Sequence, residues 1–260
     1  MWQEIKIESW GQFSEVIGKQ GFANRDWPVF LFRGQADASW SMHPSLTRIL
    51  KSKDMPCPQA VGVENDCTYR FRSAYHQITN LREDSQSLID WWMLMQHYSC
   101  PTRLLDWSLS PYVAAYFAVT EHPRNDGAIW LFDSSRLEKE VSKRFGNLDL
   151  DVEQAFGESN SAPVYTIVPL EHSPRSYAQQ GVFTVSTNIA SDHCESIAEI
   201  FRHESLSPPL KFVIPAQLKL EFSSQLHLMN ITSASLFPGI DGLGRSVREF
   251  AFRRTNGYKY

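Results

Sequence analysis

Two clusters of side chains stand out for the chemistry they could perform. The apolar run Val29-Phe30-Leu31-Phe32 ends at Arg33, Gly34 and Gln35, and such a run halted by glycine reads as a buried strand that delivers Arg33 to its end. A permanent, forked cation at that position suits a phosphate or a carboxylate, and the glycine beside it would let a ligand approach the backbone. The second cluster is His97, Tyr98, Thr102, Arg103, Asp106 and Trp107, all within eleven residues. A histidine closing a helix should have its protonated form favoured by the helix dipole, and a nearby Asp106 would act in the same direction. His97 could then donate to an anion. Two readings stay open on the residues alone. Arg33 and Asp106 either hold an anionic ligand or pair with each other, and the His97 to Trp107 segment is either a site or a satisfied polar network joining two halves of the fold.

The flanking sequence supplies the elements that would position these groups. Ile5 to Gln20 has helical spacing and stops at Gly21. Lys51 to Pro58 reads as a loop, Val63 to Leu81 as a helix, and Ser85 as the cap of a helix in which Leu88, Trp91, Trp92 and Met95 share one face and which ends near His97. Arg103 to Trp107 extends as a strand. Pro111 opens an apolar helix over 112–118, and Gly127 to Asp133 is a core strand. The charged stretch 134–160 starts as a helix and continues as a loop, the best candidate for a variable insertion. Strands follow at 164–168 and 182–185, a helix over 189–203, a strand at 211–215 and a helix over 223–229 before the turn at Leu236 to Gly239. This order of strands and helices predicts a single α+β domain over 1–260, with residues 1–133 carrying both clusters and residues 160–260 completing the sheet.

Composition and missing motifs narrow the functional classes. At 260 residues and 42% hydrophobic content the chain can bury a large core, and a net charge of −4 leaves no global positive field for nucleic acid. A polyanionic partner would need a local basic patch. Arg245, Arg248, Arg253 and Arg254, interleaved with Phe250 and Phe252, offer one, and the competing reading is a final amphipathic strand with a solvated tail. The opening residues lack a charged leader followed by an apolar core, and no stretch approaches the roughly 18 apolar residues of a membrane span, so a cytoplasmic location without membrane partners is expected. The four cysteines have no CxxC pairing and read as free thiols. His193, Cys194 and His203 have poor metal spacing, and no metal is expected. Gly242-Leu243-Gly244-Arg245-Ser246-Val247 fails as a dinucleotide fingerprint because its last position is valine and no strand clearly precedes it. A nuclease built on His97 and His43 rests on residue type alone.

The sequence resembles the FRG-domain family over most of its length. The resemblance is carried by Phe32-Arg33-Gly34, by Trp40, His43-Pro44-Ser45-Leu46 and Arg48, by Gln96-His97-Tyr98 through Trp107, and by Ser110-Pro111 with Ala114-Ala115-Tyr116-Phe117-Ala118. Gly127 to Trp130, Gln179 to Phe183 and Leu236 to Leu243 extend it. Ser99-Cys100 stands where the family usually has glycine and a variable residue. A more distant resemblance is to the arginine-class ADP-ribosyltransferases, which begin with a YRG or FRG strand whose arginine contacts NAD. Thr102 to Ser108, the helix Ala114 to Ala118 and the strand Ala128 to Phe132 are similar to elements that follow it there. The strand that carries a glutamate in those enzymes corresponds to Gln179-Gln180-Gly181-Val182-Phe183, which has none.

This resemblance implies an α+β fold like the ADP-ribosyltransferase split β-sandwich with peripheral helices, and NAD as substrate. It assigns catalytic roles to Arg33, His97, Asp106 and Gln180 and NAD contacts to Arg33, Gly34, Gln35, His97, Tyr98, Thr102, Arg103 and Trp107, with Glu249 in reserve for the missing carboxylate. The implied activity is transfer of ADP-ribose to a macromolecule such as RNA or DNA by a bacterial toxin or phage-defence effector, with an antitoxin as a further partner. The alternative is a catalytically inactive module that binds a nucleotide or a partner.

Overall fold

The computed structural model describes residues 1–19, 30–79, 87–146, 163–169, 173–202 and 207–255. Its centre is a seven-stranded sheet in the order β1-β7-β4-β2-β3-β6-β5. The strands are β1 (Gln3–Lys6), β2 (Phe30–Gln35), β3 (Leu105–Ser108), β4 (Gly127–Asp133), β5 (Val164–Ile167), β6 (Gly181–Ser186) and β7 (Leu210–Ile214). β1 runs parallel to β7 and every other pairing is antiparallel. β7, from late in the chain, lies between β1 and β4, so early and late segments of the sequence build one half of the sheet together.

Alternation along the strands builds a core on each face. Phe32, Ile129, Leu131 and Phe212 point into one, with Phe13 and Phe222, while Leu31, Trp107, Trp130 and Phe132 point into the other, with Leu137 and Ile197. The helix α5 (Pro111–Val119) covers the first face: Ser110 caps it by accepting from the Val113 amide at 3.3 Å, and Pro111 supplies its first turn. Glycine at two strand positions lets α5 come close. A Cβ on Gly34 would sit 1.8 Å from the Ala114 carbonyl oxygen, and one on Gly127 would sit 2.2 Å from that of Ala118.

The sheet has a weak seam. β2 and β4 are paired over six residues, from Phe30↔Asp133 to Gln35↔Ala128, whereas β2 and β3 are joined only at Phe32↔Ser108. The four strands β1-β7-β4-β2 and the three strands β3-β6-β5 therefore meet at a single residue pair. The α+β expectation holds, and the described strands form one open sheet divided at this seam rather than two packed sheets.

Several local expectations are revised. Residues 3–6 form a strand, and the helix expected from Ile5 begins only at Trp10 as α1 (Trp10–Lys19). A helix α2 (Ser45–Lys51) and a short helix α7 (Pro174–Ala178) were not foreseen, and α3 (Cys57–Thr79) starts inside the expected loop. In α4 (Leu88–His97) the cap is Ser87, whose capping box with Asp90 satisfies the first amides, while Ser85 lies outside the described residues. α6 (Ser134–Phe145) opens the expected insertion, of which 147–160 fall outside the described residues. After α8 (His193–Ile200), α9 (Lys219–Leu228) and α10 (Ser233–Leu236), the basic C-terminal stretch forms a helix, α11 (Ile240–Thr255), not a strand. Its apolar residues Ile240, Leu243, Val247 and Phe250 recur at helical spacing, which the strand reading overlooked. Among the described residues no helix is long and apolar enough to cross a membrane.

Candidate functional site

Arg33 lies at the seam. Its backbone is fully paired with β4, opposite Trp130, and its guanidinium crosses to the other half of the sheet, where Nη1 donates to the Asp106 carbonyl oxygen at 2.6 Å. The arginine thus bridges two strands where the ladder has stopped. The Arg33 Nε–H is enclosed without an acceptor. Burial pushes the guanidinium down to about 10, against the pull of Asp106 and with a smaller push from the like charge of Arg48, so it stays charged at neutral pH. The Asp106 side chain is exposed although β3 is an interior strand of the sheet. The exposed carboxylate and the bridging arginine mark the seam as the candidate site.

A second arginine approaches Asp106 from α7. Ser173 caps this helix, and Ser108 Oγ donates to the Gln179 carbonyl at 2.8 Å, which ties the end of α7 to β3. Burial lowers Arg175 below the ordinary arginine value, while Asp106 supports its charge. Burial, and after it the Arg175 charge, holds His97 below the ordinary histidine value. The expectation of a favoured imidazolium is therefore corrected: the dipole at the end of α4 is outweighed by desolvation and a nearby cation. Neutral His97 packs edge-on against the exposed ring of Tyr98, with ring centroids 4.9 Å apart.

The remaining site candidates divide between the strand ends beside the seam and the core. Gln180 precedes β6, donating its amide to the Tyr177 carbonyl and accepting from the Leu109 amide, each at 3.0 Å. Leu109 is three positions beyond Asp106, so Gln180 is displaced along the strand by roughly 10 Å. Gly34 serves the close packing of α5, not the approach of a ligand. Gln35 is buried, accepting from the Trp130 indole at 2.6 Å and donating to the Ser41 carbonyl at 3.1 Å. Thr102 is buried and bonded to Gln96, and Trp107 is buried and donates to Thr184 Oγ1 at 2.8 Å. Arg103 is 1% exposed and grips Glu64 with two guanidinium nitrogens, with Trp92 beneath its plane. Burial pushes the Glu64 carboxyl up, and the fork of Arg103 opposes that push. These interactions make Gln35, Thr102, Arg103 and Trp107 framework groups of the buried core around the seam.

The basic C-terminal residues border a cavity of about 830 Å³ beside α5. Arg175, Arg245, Arg248 and Arg253 line it together with Tyr116 and Glu249. Arg254, exposed on α11, is not among the lining residues. The Tyr116 hydroxyl donates to Glu249 at 2.6 Å, and burial and then that carboxylate hold the phenol well above its ordinary value. Of these four arginines, Arg175 is the one that both lines the cavity and feels Asp106. Sequence reasoning missed Arg175 and the role of Phe237, over whose ring it lies at 4.8 Å. The cue was Ser173-Pro174, a helix start signal just before the arginine.

His43, the other candidate for a nuclease, receives a bond from Lys51 Nζ at 2.5 Å and faces Asp192 at 3.7 Å. Behind the seam His193 is buried, bonded through Nδ1 to Thr184 Oγ1 at 2.8 Å, and burial followed by the Arg33 charge holds it down to about 3. Among the described residues no group of three or more His, Cys, Asp or Glu is placed to hold a metal ion.

The chain is thus an α+β protein whose sheet is divided at a seam that Arg33 bridges. Residues 28–127 match the family model of the FRG domain, a stretch that begins just before β2 and ends at the first residue of β4. Arg33, Arg48, His97, Asp106 and Tyr116 fall inside it; Arg175, Gln180, Arg245 and Glu249 fall outside. Comparisons with curated proteins and with solved structures return no significant match.

Proposed function

We propose that the protein is an ADP-ribosyltransferase that moves ADP-ribose from NAD to a macromolecular acceptor. The observation that carries this reading is Arg33 spanning the seam beside the exposed Asp106. The three strands to which the resemblance assigns site residues, β2, β3 and β6, are consecutive neighbours in the sheet. The seam between β2 and β3 lies within this set of strands.

In this reading Arg33 binds the NAD diphosphate through its free guanidinium edge. The bond between nicotinamide and ribose C1′ breaks with its electron pair leaving on nicotinamide, and the ribose develops oxocarbenium character that a carboxylate stabilises. Asp106 is placed to accept from a ribose hydroxyl. The acceptor then adds to C1′ and gives up its proton, and Glu249, held by Tyr116, is the carboxylate available on the cavity side. Gln180 contributes a hydrogen bond at the far end of β3.

The missing glutamate in β6 favours a second reading, a nucleotide-binding module without turnover. NAD labelled on its adenylate phosphate, incubated with the protein and separate RNA, DNA and protein acceptors, distinguishes the two. Transfer of label with release of nicotinamide supports the transferase. Binding of NAD without either product supports the module, and neither binding nor turnover ends both readings.

A further inference from the structure

The cavity beside α5 carries more positive charge than its own packing uses. Five cationic side chains line it against two carboxylates, Glu121 and Glu249. Lys219 is spent internally, since its Nζ donates to the carbonyls of Ala36, Glu121 and His122. Arg253 is buried and donates to Ser223. Arg248 meets Glu121 at 3.6 Å, an exposed pair that a stronger anion can replace.

Arg175 and Arg245 are different. Both guanidiniums lie over the ring of Phe237, at 4.8 and 4.4 Å from its centroid, and among the described residues neither forms an ion pair with a carboxylate. Two like charges gathered on one aromatic ring repel each other. Stacking on the ring offsets some of that cost and leaves the guanidinium edges to donate to an anion. The ring contact also fixes their orientation, which lowers the entropy lost on binding.

The surroundings point to a strand of nucleotides. Tyr177, two residues beyond Arg175 on α7, is 76% exposed, and Tyr98, beside His97, is 58% exposed. His97 lies within the electrostatic reach of Arg175 and packs edge-on against Tyr98, so exposed rings stand near that arginine on both α4 and α7. Guanidiniums spaced among exposed aromatic faces are the arrangement that grips a single strand through phosphates and stacked bases.

We propose that Arg175 and Arg245, organised on Phe237, together with Arg248 clamp the phosphodiester backbone of a single-stranded nucleic acid whose bases stack on Tyr177 and Tyr98. Taken with the proposed transferase, the clamp makes this strand the acceptor and leads it from the cavity towards Asp106. The acceptor role rests on the transferase reading; the binding itself does not.

The test is fluorescence anisotropy of labelled single-stranded DNA and RNA 20-mers, without NAD, on the full chain. The expected result is binding that weakens with salt at a slope reflecting about three neutralised phosphates, and a duplex that binds at least about tenfold more weakly. Arg175→Gln with Arg245→Gln should raise Kd at least about tenfold and flatten the salt slope. Tyr177→Ala should raise Kd about fivefold. Arg202→Gln, at an exposed arginine outside the cavity lining, should leave Kd within about twofold. Wild type that binds neither oligonucleotide, or a double variant that keeps wild-type Kd and slope, overturns the clamp. It is equally overturned if the double variant loses affinity for ADP-ribose but not for the oligonucleotide, since the phosphates would then be those of the dinucleotide. Oligonucleotide binding in a protein that never turns over NAD would retain the clamp and discard the transferase.

Discussion

Arg33 holds two roles that are hard to separate, because the guanidinium that would meet a ligand also donates to the Asp106 carbonyl across the seam. Lysine can keep the charge but not the fork that makes both contacts at once. Ser99 gives a cleaner case. It adopts a left-handed backbone, φ 64°, in the turn after α4, at a position where the resembling family usually has glycine. A side chain costs energy there, so Ser99→Gly should raise unfolding stability by about 1 kcal/mol, read from the midpoint of urea denaturation. A lower midpoint would place the strain elsewhere. The sequence pattern marked this residue as a departure without revealing its cost, since φ is set by how α4 must turn into Pro101. It marked Arg33 and Asp106 correctly as neighbours but could not tell whether the carboxylate or the main chain takes the bond. His97 shows the opposite limit. Its dipole was legible, whereas the burial and the Arg175 charge that outweigh it come from packing and from a helix nearly eighty residues away.

At the scale of elements, the seam is held in place by contacts around it. α5 is drawn onto β2 and β4 by two glycines whose missing side chains admit its carbonyls. Gly34→Ala would put a methyl 1.8 Å from the Ala114 oxygen, and backbone on both sides prevents an easy shift. The expected loss is about 3 kcal/mol or more, measured by thermal unfolding. Unchanged stability would show that α5 can slide. Arg103 anchors the other side, linking Glu64 of α3 to the carbonyls of Ser186 and Thr187. Replacing Glu64 with leucine removes the carboxylate that neutralises the buried Arg103 guanidinium and should cost about 3–5 kcal/mol. Adding Arg103→Met should restore much of that loss; a double variant as unstable as the single one would show that the pair is not what Glu64 supplies. The strands that frame the seam were legible from their apolar runs, and α5 from its capping serine and proline. α7 was not, because five residues carry too little periodicity to register. β1 was missed because its four residues merge with the helical spacing that follows.

The whole molecule encloses His193 behind the seam, where burial and the positive charges of Arg33, His43 and Arg103 hold its ring neutral, down to about 3. The unfolded chain takes up this proton near the ordinary value of 6.5, so between pH 6.5 and about 3 the unfolded state binds more protons than the folded one. The contribution to stability is complete above 6.5 and falls as pH drops through that window, by on the order of 4 kcal/mol at its lower end. Denaturation midpoints from about pH 7 to 4 should decline accordingly, and His193→Gln should decline less; equal slopes would contradict the assignment. The overall arrangement, in which Asp106 lies within electrostatic reach of both Arg33 from β2 and Arg175 from α7, could not be read from local sequence, because the sheet order interleaves early and late strands.

Whether the seam at Arg33 is where NAD is cleaved can be decided by the kcat/KM for nicotinamide release from NAD, in wild type and in Arg33→Lys at matched thermal stability. Wild type should release nicotinamide, and the lysine variant should lose about 10²–10³-fold. Release by Arg33→Lys at the wild-type rate, or no release by wild type with any acceptor present, would contradict cleavage at the seam.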